Sequence, residues 1–324
     1  MKKYDATALG ELLVDFTENK EKSMQGNPVF EANPGGAPCN VLAMLAKLGH
    51  KTAFIGKVGN DFFGDFLRKT IIEAGIDPFL QTDNEIHTTL ALVHTYPDGD
   101  RDFSFYRNPG ADIMLKEKEI QEQVIADSRI FHFGTLSMTH EGVRRATKKA
   151  VQIAEKSKTL ISFDPNLRPP LWDDMEVARK QVQYGLEHCH ILKISDNEIQ
   201  WFTGKSDYTD GVRWILDRYQ IPLILVTMGK HGSRAYYRKM IVEQAPFMQK
   251  NTIETTGAGD TFLGCVLHYI CKYGLKDLQK KDLQEMLTVA NAAAAIITTR
   301  KGALKVMPEL AEIVEIIQQS QRNK

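Results

Sequence analysis

Short apolar runs alternate along this 324-residue chain with longer segments of helical periodicity. Six runs read as core strands: Ala6–Val14, Thr52–Val58, Ile130–Phe133, Thr159–Phe163, His190–Ile194 and Leu223–Thr227. Between them the spacing predicts helices. One covers Asn40–Leu48 and stops at Gly49; another covers Glu141–Glu155, with Val143, Ala146, Ala150 and Ile153 on one face. A third begins at Gly257–Asp260. There Phe262, Val266 and Tyr269 mark one face and Leu263, Leu267 and Ile270 a second, as in a buried helix. The last candidate, Leu283–Thr299, runs into Arg300-Lys301-Gly302-Ala303. Strand–helix alternation of this kind predicts α/β units around a mostly parallel central sheet. Two segments break the rhythm. Leu12–Glu31 and Thr88–Phe105 look extended and end in polar turns such as Pro97-Asp98-Gly99-Asp100. They read as hairpin strands outside the main sheet, a small β flap over one edge. The expectation is one domain over residues 1–324, its lid formed by about 12–33 and 88–108.

Composition narrows the function classes. Lys plus Arg and Asp plus Glu both number 41, so the formal charge is zero, and no basic stripe points to nucleic acid. The four cysteines, Cys39, Cys189, Cys265 and Cys271, follow no metal spacing, and three lie in apolar runs, which suits reduced thiols in a cytosol. The first residues lack the apolar stretch of a signal peptide, and no apolar run is long enough to span a bilayer. A cytoplasmic protein that handles small molecules is the expectation.

The chemistry concentrates in Thr255-Thr256-Gly257-Ala258-Gly259-Asp260-Thr261-Phe262. The first N–H groups of a helix have no intrahelical partner and carry the positive end of its dipole. Glycines let a phosphate approach them closely. An Asp beside such a cradle would repel an anion, so it makes sense as a base that takes a proton from an attacking hydroxyl. Alone, a turn like this is more often an ordinary glycine- and Asp-capped helix start. Its companions change that weighing. Asn33-Pro34-Gly35-Gly36-Ala37-Pro38-Cys39-Asn40 lies between the first strand and the first helix, and Asp15 ends the first apolar run. Phe163-Asp164-Pro165-Asn166-Leu167-Arg168 follows a strand and reads either as an Asx-type turn or as a place for Asn166 to meet a ligand hydroxyl and Arg168 a phosphate. Ile194-Ser195-Asp196-Asn197-Glu198 and Leu225-Val226-Thr227-Met228-Gly229-Lys230-His231-Gly232 follow two further strands. Ligands of open α/β sheets bind at these carboxyl ends. No Walker A lysine motif occurs, and Gly35-Gly36 does not fit a dinucleotide fingerprint.

On these residues the chain resembles the PfkB, or ribokinase-like, sugar kinases, and among them most closely the fructokinases. The GGAPCN turn and TTGAGDTF match the family's two signatures. The fructokinase character rests on Gly10-Glu11-Leu12-Leu13-Val14-Asp15-Phe16, on Phe105-Tyr106-Arg107-Asn108-Pro109-Gly110-Ala111-Asp112, and on Asp164-Pro165-Asn166-Leu167-Arg168 with Leu171-Trp172. The similarity runs from about Tyr4 to Pro308. It implies a three-layer ribokinase-like fold and ATP-dependent phosphorylation of D-fructose to fructose 6-phosphate, with Mg²⁺. Asp260 would be the base, with Gly257, Ala258 and Gly259 as anion hole and Arg168 on the transferred phosphate. Asp15, Gly35, Gly36, Asn40, Arg107 and Asn166 would surround the sugar. Lys193, Thr227, Gly229, Gly232 and Asn291 would meet the nucleotide, and Glu198 would organise Mg²⁺ through water. Glu254, Thr256, Arg300 and Gly302 would surround a monovalent cation.

Three departures qualify this. Glu254 stands where the family usually has Asp, so K⁺ activation is expected to be weak. Ser195 replaces a common Asn, which leaves the magnesium role to Glu198. Cys39 replaces the commoner Ala. A 2-keto-3-deoxygluconate kinase is the nearest alternative, although its acidic substrate wants a cation besides Arg107. A non-catalytic sugar- or nucleotide-sensing protein on the same fold is the alternative outside the class, and the intact GAGD turn speaks against it. Exposed lid strands offer a route to a homodimer.

Overall fold

In the computed structural model, which describes residues 2–19, 27–95, 101–249 and 251–322, the apolar runs form strands, and the first run divides in two. The strands are β1 (Tyr4–Leu9), β2 (Leu13–Glu18), β3 (Phe30–Gly35), β4 (Thr52–Gly59), β5 (Ile76–Asp83), β6 (Leu90–Thr95), β7 (Arg101–Tyr106), β8 (Ser128–Gly134), β9 (Leu160–Asp164), β10 (Ile191–Ser195), β11 (Leu223–Thr227), β12 (Ser233–Tyr237) and β13 (Met240–Gln244). The helices are α1 (Ala37–Lys47), α2 (Phe62–Glu73), α3 (Glu122–Ala126), α4 (Glu141–Lys156), α5 (Met175–His188), α6 (Asp196–Thr203), α7 (Tyr208–Leu216), α8 (Ala258–Tyr273), α9 (Lys280–Ile297) and α10 (Leu310–Arg322). The turn expected at 97–100 lies outside the described residues.

A nine-stranded sheet has the order β13-β12-β11-β10-β9-β8-β1-β4-β5, parallel from β11 to β5 and antiparallel at the β12 and β13 edge. Its interior strands are buried on both faces, and alternate residues feed two cores. Ala6 and Ala8 of β1 join a cluster with α1, α8 and α9. Tyr4 and Leu9 join the cluster of α4, α5 and α7 on the opposite face. β11 repeats the pattern, with Leu223 and Leu225 on one side and Ile224 and Val226 on the other. This double burial produces continuous apolar runs rather than alternation.

The expected strand Ala6–Val14 is corrected. β1 stops at Leu9, and β2 belongs to a second, four-stranded sheet of order β3-β2-β6-β7. The break is pinned by Glu11, whose Oε1 accepts the Ala37 N–H at the start of α1 (2.9 Å). Gly36 caps α1 at φ 131°, and a Cβ there would fall 2.4 Å from the Glu11 carbonyl oxygen, so only glycine lets the two segments close up. β1 lies where the chain reverses direction across the large sheet: β4 and β5 extend one way, β8 to β11 the other. The crevice beyond the carboxyl ends at such a point is where open α/β sheets bind ligands.

Candidate active site

The first turn of α8 separates two cavities. Gly257 caps the helix at φ 77°, with room for a Cβ denied by Ala303 at 2.5 Å. The Ala258 N–H donates back to the Thr255 carbonyl (3.2 Å), so this member of the expected anion hole is already engaged. Asp260, in the same turn, is buried and lies under the Asn40 amide, whose Nδ2 donates to Oδ2 at 2.8 Å. Burial raises its carboxyl above the usual range. The Asn40 hydrogen bond and the charges of Lys193 and Arg168 oppose that rise. A carboxylate made more basic by desolvation, yet aimed by a hydrogen bond, suits a general base.

On one side of this turn lies a polar cavity of about 450 Å³. Asp15 and Phe105 reach it from the second sheet, Glu11 and Asn166 from loops after β1 and β9, and Arg168 and Lys193 complete its charged lining. Asn166 holds φ 42°, and its N–H donates to Asp164 Oδ1 at 3.1 Å. Asn tolerates this left-handed conformation better than most residues. Asn40 Oδ1 is buried and makes no hydrogen bond to the described residues. An orphaned acceptor beside a cavity is an open place for a ligand hydroxyl.

On the other side lies a cavity of about 340 Å³, sharing Thr255 and Gly259 with the first. Thr227, Gly229, Gly232 and Asn291 all line it, and Ala294 and Ala295 of α9 give it a small-residue wall. Asn291 is held by Ser233 Oγ (2.6 Å) and the Leu287 carbonyl (2.8 Å).

Lys193, expected on the nucleotide side, lies in the polar cavity instead. Its Nζ is 2.9 Å from Asp164 Oδ2, with both side chains buried. Burial pushes Asp164 up to about 6 against the pull of Lys193, and the nearby carboxylates Glu198 and Asp260 add to the rise. Burial alone would lower Lys193, but the same three carboxylates outweigh it and hold the ammonium above its ordinary value. The cation therefore stays charged at the edge of the α8 turn.

Arg107 does not line the cavity. Its Nε and NH2 clasp Asp112 at 2.9 and 2.5 Å, NH2 also meets the Leu136 carbonyl, and the side chain is buried. Its fork is spent on a buried ion pair behind the wall, where it shapes Leu136, which does line the cavity. Glu198 is likewise off the wall. Its Oε2 accepts the Ser195 N–H and hydroxyl, both at 2.8 Å, while Oε1 accepts the Leu167 N–H at 2.8 Å, a capping box that orients the carboxylate. Glu254, Thr256 and Gly302 gather with Asp15 and Gly35 around a cavity of about 20 Å³. There Glu254 Oε1 accepts the Gly302 N–H at 2.8 Å. The Arg300 guanidinium turns away, to the Val306 carbonyl and Glu312.

Glu11, which the sequence motifs leave without a role, is the main addition to the site. Glu11 is buried and lines the polar cavity. Burial pushes it up to about 7 against its own and Ala37 backbone N–H groups and the Arg107 charge. The signal was available: a lone carboxylate inside Leu9-Gly10-Glu11-Leu12-Leu13-Val14, an otherwise apolar run, is rarely solvated.

The fold and these paired cavities define a kinase of small carbohydrates, and residues 4–310 match the profile of the pfkB family carbohydrate kinases. The chain belongs to that family. It is 36% identical over 312 residues to a probable fructokinase of Arabidopsis thaliana, covering 96% of this chain and 95% of that protein. It is 37% identical over 315 residues to fructokinase-1 of Zea mays, covering 97% of each. Among solved structures it resembles a fructokinase with bound ATP from Xylella fastidiosa, with a TM-score of 0.89 and 29% identity, covering 99% of this chain and 100% of that one. It also resembles a Vibrio cholerae fructokinase bound to fructose, ADP and calcium ion, with a TM-score of 0.84 and 26% identity, covering 97% of this chain and 99% of that one.

Proposed function

We propose that this enzyme transfers the γ-phosphoryl group of ATP to D-fructose, at its primary O6 hydroxyl, giving fructose 6-phosphate and ADP. The observation that carries this reading is the first turn of α8: Gly259 and Thr255 face both cavities at once, with Asp260 buried beside them. The sugar occupies the polar cavity and the nucleotide the other, so the phosphoryl group crosses at the helix N-terminus. Asp15, Asn166 and the Asn40 Oδ1 acceptor bind sugar hydroxyls. Asp260 takes the hydroxyl proton while the new O–P bond forms and the bond to the ADP oxygen breaks. Charge on the equatorial oxygens is met by the helix N–H groups, Arg168 and Lys193. Magnesium would neutralise nucleotide phosphate charge when bound, and the oriented Glu198 carboxylate is the residue assigned to it through water. A neutral sugar fits better than an acidic one. Three carboxylates line the polar cavity, and both of its cations are coupled to Asp260.

We read residues 1–324 as one kinase domain whose second sheet acts as a lid, and the exposed lid strands as a route to a homodimer, testable by light scattering. Four buried free thiols suit a reducing cytoplasm. Among the described residues no helix is long and apolar enough to cross a membrane. The test of function is coupled ADP release across neutral ketoses, aldoses and 2-keto-3-deoxy acids. The highest kcat/KM is expected for fructose, and a preference for the acidic sugar would overturn the assignment.

A further inference from the structure

At the far end of α8 from Asp260, three chemically different ligand groups converge. Asp5 comes from β1, His50 from the turn before β4, and Cys271 from the last turns of α8. One carboxylate oxygen, one ring nitrogen and the Cys271 sulfur lie within 4.8 Å of one another. Among the described residues no other group of three His, Cys, Asp or Glu ligand atoms converges in this way.

The local geometry is compatible with coordination. His50 Nδ1 lies 3.2 Å from Asp5 Oδ2, and the Cys271 sulfur, which contacts the Asp5 backbone carbonyl at 3.7 Å, is within 4.8 Å of the other two ligand atoms. Bonds of about 2.0–2.3 Å around a tetrahedral ion set ligand atoms about 3.3–3.7 Å apart, so small side-chain shifts suffice. The outer partners are also present. His50 Nε2 is 2.8 Å from His268 Nδ1, one turn before Cys271, which would fix the ring with Nδ1 facing Asp5. Asp5 Oδ1 is held by Arg129 (3.3 Å) and Oδ2 also accepts the Lys51 N–H (3.1 Å). Hydrogen bonds of this kind orient metal ligands and tune their basicity.

We propose that Asp5, His50 and Cys271 bind one tetrahedral divalent ion of the zinc class, a water taking the fourth position and His268 positioning His50. A mixed sulfur, imidazole and carboxylate set suits Zn²⁺ and is poor for Mg²⁺ or Ca²⁺. Binding releases the thiol proton, since the thiolate is the ligand. The ion would tie β1, the α1–β4 turn and the end of α8 together. That end lies eleven residues beyond Asp260, about 16 Å along the helix at 1.5 Å per residue. It is a site separate from phosphoryl transfer.

The test titrates tag-free, reduced full-length protein with Co²⁺, followed by Zn²⁺. One equivalent of Co²⁺ should give a near-ultraviolet thiolate-to-cobalt band that Zn²⁺ abolishes by displacement. Cys271→Ser should lose the band, and His268→Ala should weaken binding about 10–100-fold. Co²⁺ that binds without the band overturns the site, as does a band that persists in Cys271→Ser. A band on the wild-type protein that excess Zn²⁺ fails to abolish does the same, independent of any variant's folding.

Discussion

The two cavities that meet at Gly259 differ in kind. The sugar-side cavity carries Glu11, Asp15 and Asp260 with Arg168 and Lys193, and two Asn side chains between them. Among the described residues, the proposed nucleotide-side cavity has no carboxylate, a single lysine, Lys230, and a wall that includes Ala258, Ala294, Ala295 and Phe262. A polyhydroxyl ligand gains selectivity from directional hydrogen bonds, because each buried polar group left unpaired is costly. A flat base needs a smooth slot, and its phosphates are met by backbone N–H groups. Carboxylates on the nucleotide side would repel the triphosphate. On the proposed assignment of the two cavities, specificity for the acceptor would lie in charge and geometry, and specificity for the donor in shape.

The shared wall should give the largest effect when altered. Asp260→Asn is expected to lower kcat by about two to four powers of ten with both KM values nearly unchanged. In the parent enzyme kcat should fall as pH drops through the raised Asp260 value, since the base must be ionised. Near-parental turnover of the variant would remove Asp260 from the mechanism. Arg107→Ala leaves the buried Asp112 without its counter-charge and with only the Thr89 hydroxyl as donor among the described residues, so thermal unfolding should show a loss of about 3–5 kcal/mol. KM for the sugar should rise more than KM for ATP as Leu136 shifts. A change confined to KM for ATP would place Arg107 behind the wrong cavity.

Asn40→Ala probes the sugar side together with the base that Asn40 aims. It removes an aiming hydrogen bond and an acceptor, so kcat/KM for the sugar should fall about ten- to a hundredfold while KM for ATP holds. The acid limb of the pH profile should move to higher pH, because a contact that lowers the Asp260 value is gone. Ala295→Leu is the mirror test: overpacking the slot should raise KM for ATP about tenfold and leave the sugar untouched. A variant on either side that shifts both KM values equally would dissolve the distinction between the cavities. The smallest effect is expected from K⁺. With Glu254 folded onto the Gly302 N–H, K⁺ should activate weakly relative to Na⁺, and Glu254→Asp should increase that activation. Strong, saturable K⁺ activation of the parent would mean that Glu254 or nearby carbonyls ligate the ion.

Local patterns were enough for the α8 start, the strands of the sheet interior and the turns at their carboxyl ends, because each depends on residues a few positions apart. Helical periodicity after Gly257-Ala258-Gly259-Asp260 and apolar runs such as Leu223–Thr227 follow directly from burial. The edges were not legible. β5 contains Pro78 and alternates unevenly between buried and exposed positions, and β12 and β13 are short strands whose pairing depends on each other. Nor could the run from Ala6 to Val14 reveal its division, since both halves are apolar and only the Glu11–Ala37 contact separates them.

The roles of charged side chains belonged to the tertiary structure. Arg107 and Asp112 are five residues apart, yet whether that fork faces a sugar or its neighbour depends on Leu136 and Thr139, which reach it from elsewhere in the chain. Lys193 and Asp164 sit on adjacent strands, and their parallel pairing brings both beside Asp260. Charge works through distance and dielectric, which spacing along a sequence does not encode. The sequence by itself determined where the glycine-rich turns and the α8 start would fall. Only the packing of the strands and helices decided which charges those turns would meet.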